Sequence, residues 1–450
     1  MELQSKKSSS NGKYGLVTGF IFVWRLAHPV NMNYFCSVFS GLLLFTVLAC
    51  NPRGNKNMEP NAPAEMAAES FKPLERALMD YVDQGKVPGG VALVYHKGEM
   101  VFHKGFGFSH LENQTSSSVH DIFRIASMTK PVTAVAAMML YEEGKFKLDD
   151  PVSRFIPEFK NLQVLERVNR EDSSFVARPA TQPMTVRQLF THSSGLFYGY
   201  DNDTLSLLYA KANISEGFEE RDISLEENVK RLATLPVMHE PGERYTYGLS
   251  IDVLGRLVEI WSGMPLDAFF SERLFKPLGM KDTYFYLPRE KADRLVPVYQ
   301  SSENGPPTPT DYPLVNYPVQ GAKTFFSGGA DLSSTAWDYF LFCKMMLQKG
   351  TLNRARILKP ETVGLITSTH LETGDNDMGL GFGVLSAKTE TDIARSVGSY
   401  SWGGFFATTF WIDPAEEVIA ILMLQMYPFA AWDIQKVFED TVYGLVEEQK

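Results

Sequence analysis

The sequence predicts a mixed α/β (α+β) fold. One antiparallel β-sheet is built from strands near both ends of the chain and flanked by helices, and a mostly helical region is inserted at about residues 151–318. Three observations predict it. Strand-like apolar runs bounded by turn residues occur at Gly89–Phe106 and again at Thr408–Met426. Between them, a helix beginning near Ser127 is apolar on nearly every face, as a core helix is. From Pro151 to Pro318 the pattern becomes helical, loop-rich and proline-rich. With strands at both ends and helices between, the economical solution is one sheet covered on both faces.

The N-terminus is read first. Residues 1–16 are polar, with Lys6, Lys7 and Lys13, and are followed by apolar patches at Leu16–Trp24 and Tyr34–Ala49. The apolar core of the second patch has the length of a secretory h-region and is short for a membrane span. Val47-Leu48-Ala49-Cys50 resembles a bacterial lipobox. That resemblance implies lipidation of Cys50 and a protein exported to the bacterial periplasm or cell envelope, held at the membrane by its lipid. An ordinary signal peptide or a retained anchor are the alternatives, and Met32 competes with Met1 as the start. Residues 51–70, rich in Asn, Pro, Ala and Glu, read as a flexible tether. The division is therefore a signal segment at 1–50, a tether at 51–70 and a single folded body at 71–450.

Within the body, Phe71–Gln84 places Leu74, Leu78, Tyr81 and Val82 on one side of a helix. Gly89–Tyr95 and Glu99–Phe106 read as strands joined by His96-Lys97-Gly98. After Ser127 come Val132, Val135, Ala136, Met139 and Leu140 at helical spacing, with Ala134, Ala137 and Met138 making the other face apolar too. Pro131 is tolerated only near a helix start, and Gly144 ends the pattern. Val186–Phe190, Glu226–Leu235, Ser250–Trp261 and Ala336–Lys349 are further helices. Thr408–Ile412 and Val418–Met426 are strands joined by Asp413–Glu417, and a last helix spans Trp432–Glu447.

Composition narrows the function. Apolar residues are 44% and charged residues 21%, enough for a full core. A net charge of −10 argues against a nucleic-acid-binding surface. Of three cysteines, Cys36 and Cys50 lie in the apolar N-terminal segment and Cys343 stands alone in the body, so no intrachain disulfide is expected there. The eight histidines form no tight ligand spacing and there is no CxxC, so no metal is expected.

The chemistry is carried by Ser127-Met128-Thr129-Lys130. Near a helix N-terminus the serine hydroxyl sits at the positive end of the dipole, and Lys130 lies one turn on, on the same face. The pattern S-x-x-K also occurs at Ser10–Lys13, in a polar stretch with no helix after it. Two further motifs follow in order. Tyr247-Gly248-Leu249 precedes the Ser250 helix, and Trp402-Gly403-Gly404 stands on the approach to a strand. Together these resemble the serine β-lactamase and penicillin-binding superfamily, in its class C branch and the related family VIII carboxylesterases. Gln188–Leu196, Lys276–Met280 and Phe326–Gly329 fit the same family, and the resemblance covers about 71–448.

The resemblance implies a β-lactamase/transpeptidase-like fold and acyl transfer to Ser127. Lys130 and Tyr247 would act as a coupled general base and acid. The backbone N–H groups of Ser127 and Phe405 would form the oxyanion hole, and Leu249, Trp402, Gly403 and Gly404 would contact substrate. Two departures from class C matter: Leu249 replaces an Asn, and Trp402 replaces a Lys. Neither can hydrogen-bond or pair with a β-lactam's amide and carboxylate as the originals do. The expected reaction is therefore hydrolysis of a small-molecule carboxylic ester, without a cofactor. A β-lactamase or D-Ala-directed peptidase, and a silent relative that binds cell-wall peptides, are the competing readings.

Overall fold

The computed structural model describes residues 69–302, 305–312, 316–373, 377–388 and 393–448. The signal segment, Cys50 and nearly all of the tether lie outside them, and Glu69 and Ser70 at the tether's end are already helical. Among the described residues, no helix is long and apolar enough to cross a membrane.

Helix α1 spans Lys72–Asp83 and buries Leu74, Leu78 and Tyr81, one stripe at helical spacing. Strands β1 (Gly89–His96) and β2 (Glu99–His110) form a hairpin. Its turn narrows to Lys97-Gly98, with φ of 45° and 95°, the left-handed pair whose twist suits a two-residue hairpin. After β3 (Thr115–Ser116), a single tight turn at Ala126–Met128 leads into α2, Thr129–Glu142. Helix α3 spans Ser250–Ser262. The C-terminal part supplies β4 (Asp377–Met378), β5 (Gly383–Val384), β6 (Tyr400–Gly403), β7 (Thr409–Asp413), β8 (Val418–Met423) and helix α4 (Asp433–Glu447).

The sheet runs β4-β5-β6-β7-β8-β1-β2-β3, with every neighbour antiparallel. Strands from the two ends of the chain meet at its centre, where Val91 pairs with Met423 and His96 with Val418. Alternation sorts the side chains. Val91, Leu93, Ile419, Ile421 and Met423 belong to the core that contains α2 and α3. Ala92, Val94, Val418, Ala420 and Leu422 pack instead with Leu74 and Leu78 of α1 and Ile434, Phe438 and Val442 of α4. Both sheet faces are apolar because both are covered.

The inserted region holds the helices Val186–Phe190, Asp203–Ala212, Leu225–Leu232 and α3. It also holds a hairpin that its sequence pattern hides, Gln163–Val168 paired with Phe175–Pro179. Of those strand residues only Val164 is buried, so no alternating apolar face marks the pairing.

Candidate active site

From Ile122 to Leu140 every residue is buried except Ser127, which keeps access to the surface. The residue before it, Ala126, has φ +46°, a conformation a side-chain-bearing residue adopts at a cost and one that clusters at functional sites. One turn on, Lys130 is fully buried. Its Nζ lies 3.0 Å from Ser127 Oγ, 3.0 Å from Tyr198 Oη and 2.8 Å from the Gly329 carbonyl. The Tyr247 phenol donates to Ser127 Oγ at 2.7 Å. Lys130 Nζ also sits 4.6 Å from the centre of the Tyr247 ring.

Burial pushes the Lys130 ammonium down to about 7, with the Asp252 charge pulling the other way. The same cause pushes the Tyr247 phenol above its ordinary value, opposed in part by Ser127 and Trp402. Tyr247 therefore stays protonated, while Lys130 is poised between its two states at neutral pH. Asp252 is fully buried on α3, and burial raises its carboxyl against the Ser327 hydrogen bond and the Lys130 charge.

Two loops hold this cluster. In Phe326–Gly329, Ser327 Oγ donates to Asp252, and the Gly329 N–H reaches Asp252 Oδ1 at 3.3 Å and Ser327 Oγ at 3.1 Å. Thr133 of α2 donates to the Gly328 carbonyl at 2.6 Å. These bonds aim the Gly329 carbonyl at Lys130. In the other loop, the His192 carbonyl accepts from Thr246 N–H at 2.6 Å and the Ser193 carbonyl from Gly242 N–H at 2.7 Å, which fixes the segment carrying Tyr247. The His192 imidazole is buried, stacks 5.9 Å from Trp402 and leans on Tyr247 at 5.0 Å. Burial and the Lys130 charge hold that imidazole neutral.

A family model described as Beta-lactamase matches residues 72–431. The chain belongs to the beta-lactamase family. Within that family it is 28% identical to esterase EstB of Burkholderia gladioli over 417 residues, covering 86% of this chain and 99% of EstB. It is 32% identical to protein Rv1367c of Mycobacterium tuberculosis, covering 79% of this chain and 90% of that protein. Among solved structures, EstCE1, a hydrolase with promiscuous acyltransferase activity, superposes with a TM-score of 0.73 at 25% identity, covering 84% of this chain and all of EstCE1. The simvastatin synthase LovD of Aspergillus terreus shares the fold, with a TM-score of 0.71 at 23% identity over 83% of this chain and 98% of LovD. The chain is a beta-lactamase-fold serine hydrolase.

Of the residues singled out in the sequence, the structure brings Ser127, Lys130, Tyr247 and Trp402 together. Trp402 lies within strand β6 itself, partly exposed, its ring 6.0 Å from that of Tyr247. The two glycines after it differ. A side chain on Gly404 would fall 2.5 Å from the Ile125 carbonyl and 2.1 Å from Thr408 Oγ1, so this glycine lets β6 abut the turn before Ser127. Gly403 has no such neighbour within 3.4 Å. Phe405 packs in an aromatic group, stacked 4.0 Å from Tyr427.

Leu249 corrects the expectation of a substrate contact, because its side chain is fully buried in the core. Tyr247 and Leu249 would share a face only on an extended strand. Here Leu249 caps α3 with turn dihedrals and points inward. The sequence does not mark Tyr198 and Gly329, which bond to Lys130, or Asp252, whose charge acts on it. Tyr198 lies two residues past the Gln188–Leu196 signature, but nothing in its spacing marks it.

Proposed function

We propose that the protein is a carboxylesterase working through an acyl-enzyme on Ser127. The surroundings of Lys130 Nζ carry this reading. A neutral amine has two N–H bonds and one lone pair. Gly329 O, which can only accept, and Tyr198 Oη take the two N–H bonds, which leaves the lone pair for the Ser127 hydroxyl. Ser127 Oγ attacks the ester carbonyl and its proton passes to Lys130. The oxyanion is held by the Ser127 N–H, in the first turn of a helix where such groups lack intrahelical partners, and by the Phe405 N–H. The carbon–alkoxide bond then breaks, and the alkoxide takes the phenolic proton of Tyr247. The Lys130 ammonium returns that proton. Water attacks the acyl carbon with Lys130 again accepting a proton, which is returned to Ser127 as the acid leaves.

Esters are favoured over β-lactams by Trp402. An anionic substrate would shed hydration against an indole, with no charge offered in return. Hydrolysis of p-nitrophenyl butyrate, a chromogenic cephalosporin and a D-Ala peptide should be compared in parallel, with fluorophosphonate labelling as the check on Ser127. The butyrate is expected to be turned over fastest. A cephalosporin kcat/KM equal to or above it would replace the esterase reading with the β-lactamase one, and absence of labelling would favour a silent relative.

We also propose export and lipid anchoring at Cys50, supported by the Val47–Cys50 pattern alone. Cys50→Ser should abolish lipid labelling and membrane partitioning. An unmodified mature N-terminus elsewhere would contradict it.

A further inference from the structure

A cleft of about 720 Å³ opens beside Trp402, walled by Trp402 and Tyr245 and floored by Met378, Gly383, Ser401 and Gly403. We propose that this cleft is a subsite for a bulky, neutral, ring-bearing group of the substrate ester. The proposal rests on the esterase reading and names the substrate class of that site.

Three observations carry it. Both aromatic walls lean on the same buried imidazole, Tyr245 edge-on at 6.0 Å and Trp402 stacked at 5.9 Å, so the walls are fixed before anything binds. Through Trp402 the cleft adjoins Tyr247, whose hydroxyl touches Ser127.

The second observation is what the floor lacks. A glycine in a strand costs stability and usually answers a steric demand. Gly383 answers none: its φ is ordinary, and an added Cβ would meet nothing nearer than the Ser401 carbonyl at 3.6 Å and the Trp402 ring at 3.9 Å. Gly403 is equally unforced, its nearest neighbour being the Thr408 carbonyl at 3.5 Å. Gly404, by contrast, is demanded by backbone contacts. Among the glycines within strands of the sheet, the two that packing does not require are the two that line the cleft, and their missing side chains leave space against the indole.

The third is charge. Arg244 at the rim is paired with Glu243, and Glu372 with Lys388 at 2.6 Å. Among the described residues these charges are already matched in pairs, so the cleft offers no unpaired cation to an anionic ligand. A flat neutral ring gains apolar contact with Trp402, Tyr245 and Met378 and loses little hydration.

The test uses binding and turnover together. Full-length Ser127→Ala protein is titrated calorimetrically with 2-acetonaphthone, a neutral ring-bearing ketone, and with 2-naphthoate. The ketone should bind and the carboxylate should bind at least about tenfold more weakly. Adding Gly383→Leu should weaken the ketone by about tenfold or more, the scale at which filled pockets discriminate. Gly383→Ala should weaken it less while raising the unfolding midpoint, a pairing that a merely structural glycine would not give. This smaller change also serves if the leucine variant does not fold. In enzyme with Ser127 intact, kcat/KM for ethyl 2-naphthylacetate and for 2-naphthylmethyl acetate, each relative to ethyl acetate, tells whether the ring enters on the acyl or the alcohol side. Ketone affinity unchanged in both glycine variants, or naphthoate binding as tightly as the ketone, overturns the subsite. Ketone binding that depends on Gly383, in an enzyme that hydrolyses no ester, overturns the esterase reading and leaves the cleft standing.

Discussion

Lys130 is a lysine whose use depends on where the chain hides it. In water an ammonium gives up its proton near 10.5, but burial brings it to about 7, where a measurable fraction is free amine at physiological pH. Ester kcat/KM should therefore rise with pH through about 7 and level off above it. A profile flat from pH 5 to 9 would remove Lys130 as the base. The same shift has a stability sign. Between about 7 and 10.5 the unfolded chain binds the proton that the folded chain has released, so this residue's contribution to stability improves as pH rises across that window. Lys130→Ala and Tyr247→Phe should each lower turnover by roughly 10²–10⁴-fold. Ser127→Ala should abolish it with the unfolding transition retained. Ser127, Lys130 and Tyr247 were legible because their motifs are short and local. Tyr198, Asp252 and Gly329 were not, since each meets Lys130 only through the fold, from 68, 122 and 199 positions away along the chain.

At the scale of elements, the nucleophile turn and strand β6 are one device. The strand approaches the Ile125 carbonyl so closely that position 404 has no room for a methyl group. Gly404→Ala should cost about 1–3 kcal/mol in denaturant unfolding, the usual range for overpacking, and should reduce turnover more than a comparable loss elsewhere. Undiminished turnover would show that the contact does not set the turn. The elements that sequence reveals are the long ones: β1, β8 and α2 are apolar runs of six or more residues, and α1 keeps a helical period. Strands β4 and β5 have two residues each, too few to hold a period. β6 has four residues and ends in glycine, so the sequence shows only the approach to a strand there.

For the whole molecule, the outer face of the sheet is closed by helices from opposite ends of the chain. The Tyr81 hydroxyl of α1 donates to Asp433 of α4 at 2.6 Å. Phe438, fully buried, lies 5.2 Å from the Trp411 ring on the sheet. Phe438→Ala should cost about 3–5 kcal/mol, read by denaturant unfolding, although it lies on the face opposite to that packed with α2 and α3. A loss under 1 kcal/mol would mean that α4 is dispensable. The central seam, Val91 against Met423, carries a consequence for synthesis. A ribosome releases β1 more than three hundred residues before its partner exists. Until then the strand has one open edge and an uncovered face, and such edges invite wrong pairing. Folding of the sheet must therefore wait for the last tenth of the chain. Such a delay leaves the growing polypeptide unclosed until synthesis is nearly complete, the state that the export proposed above would require.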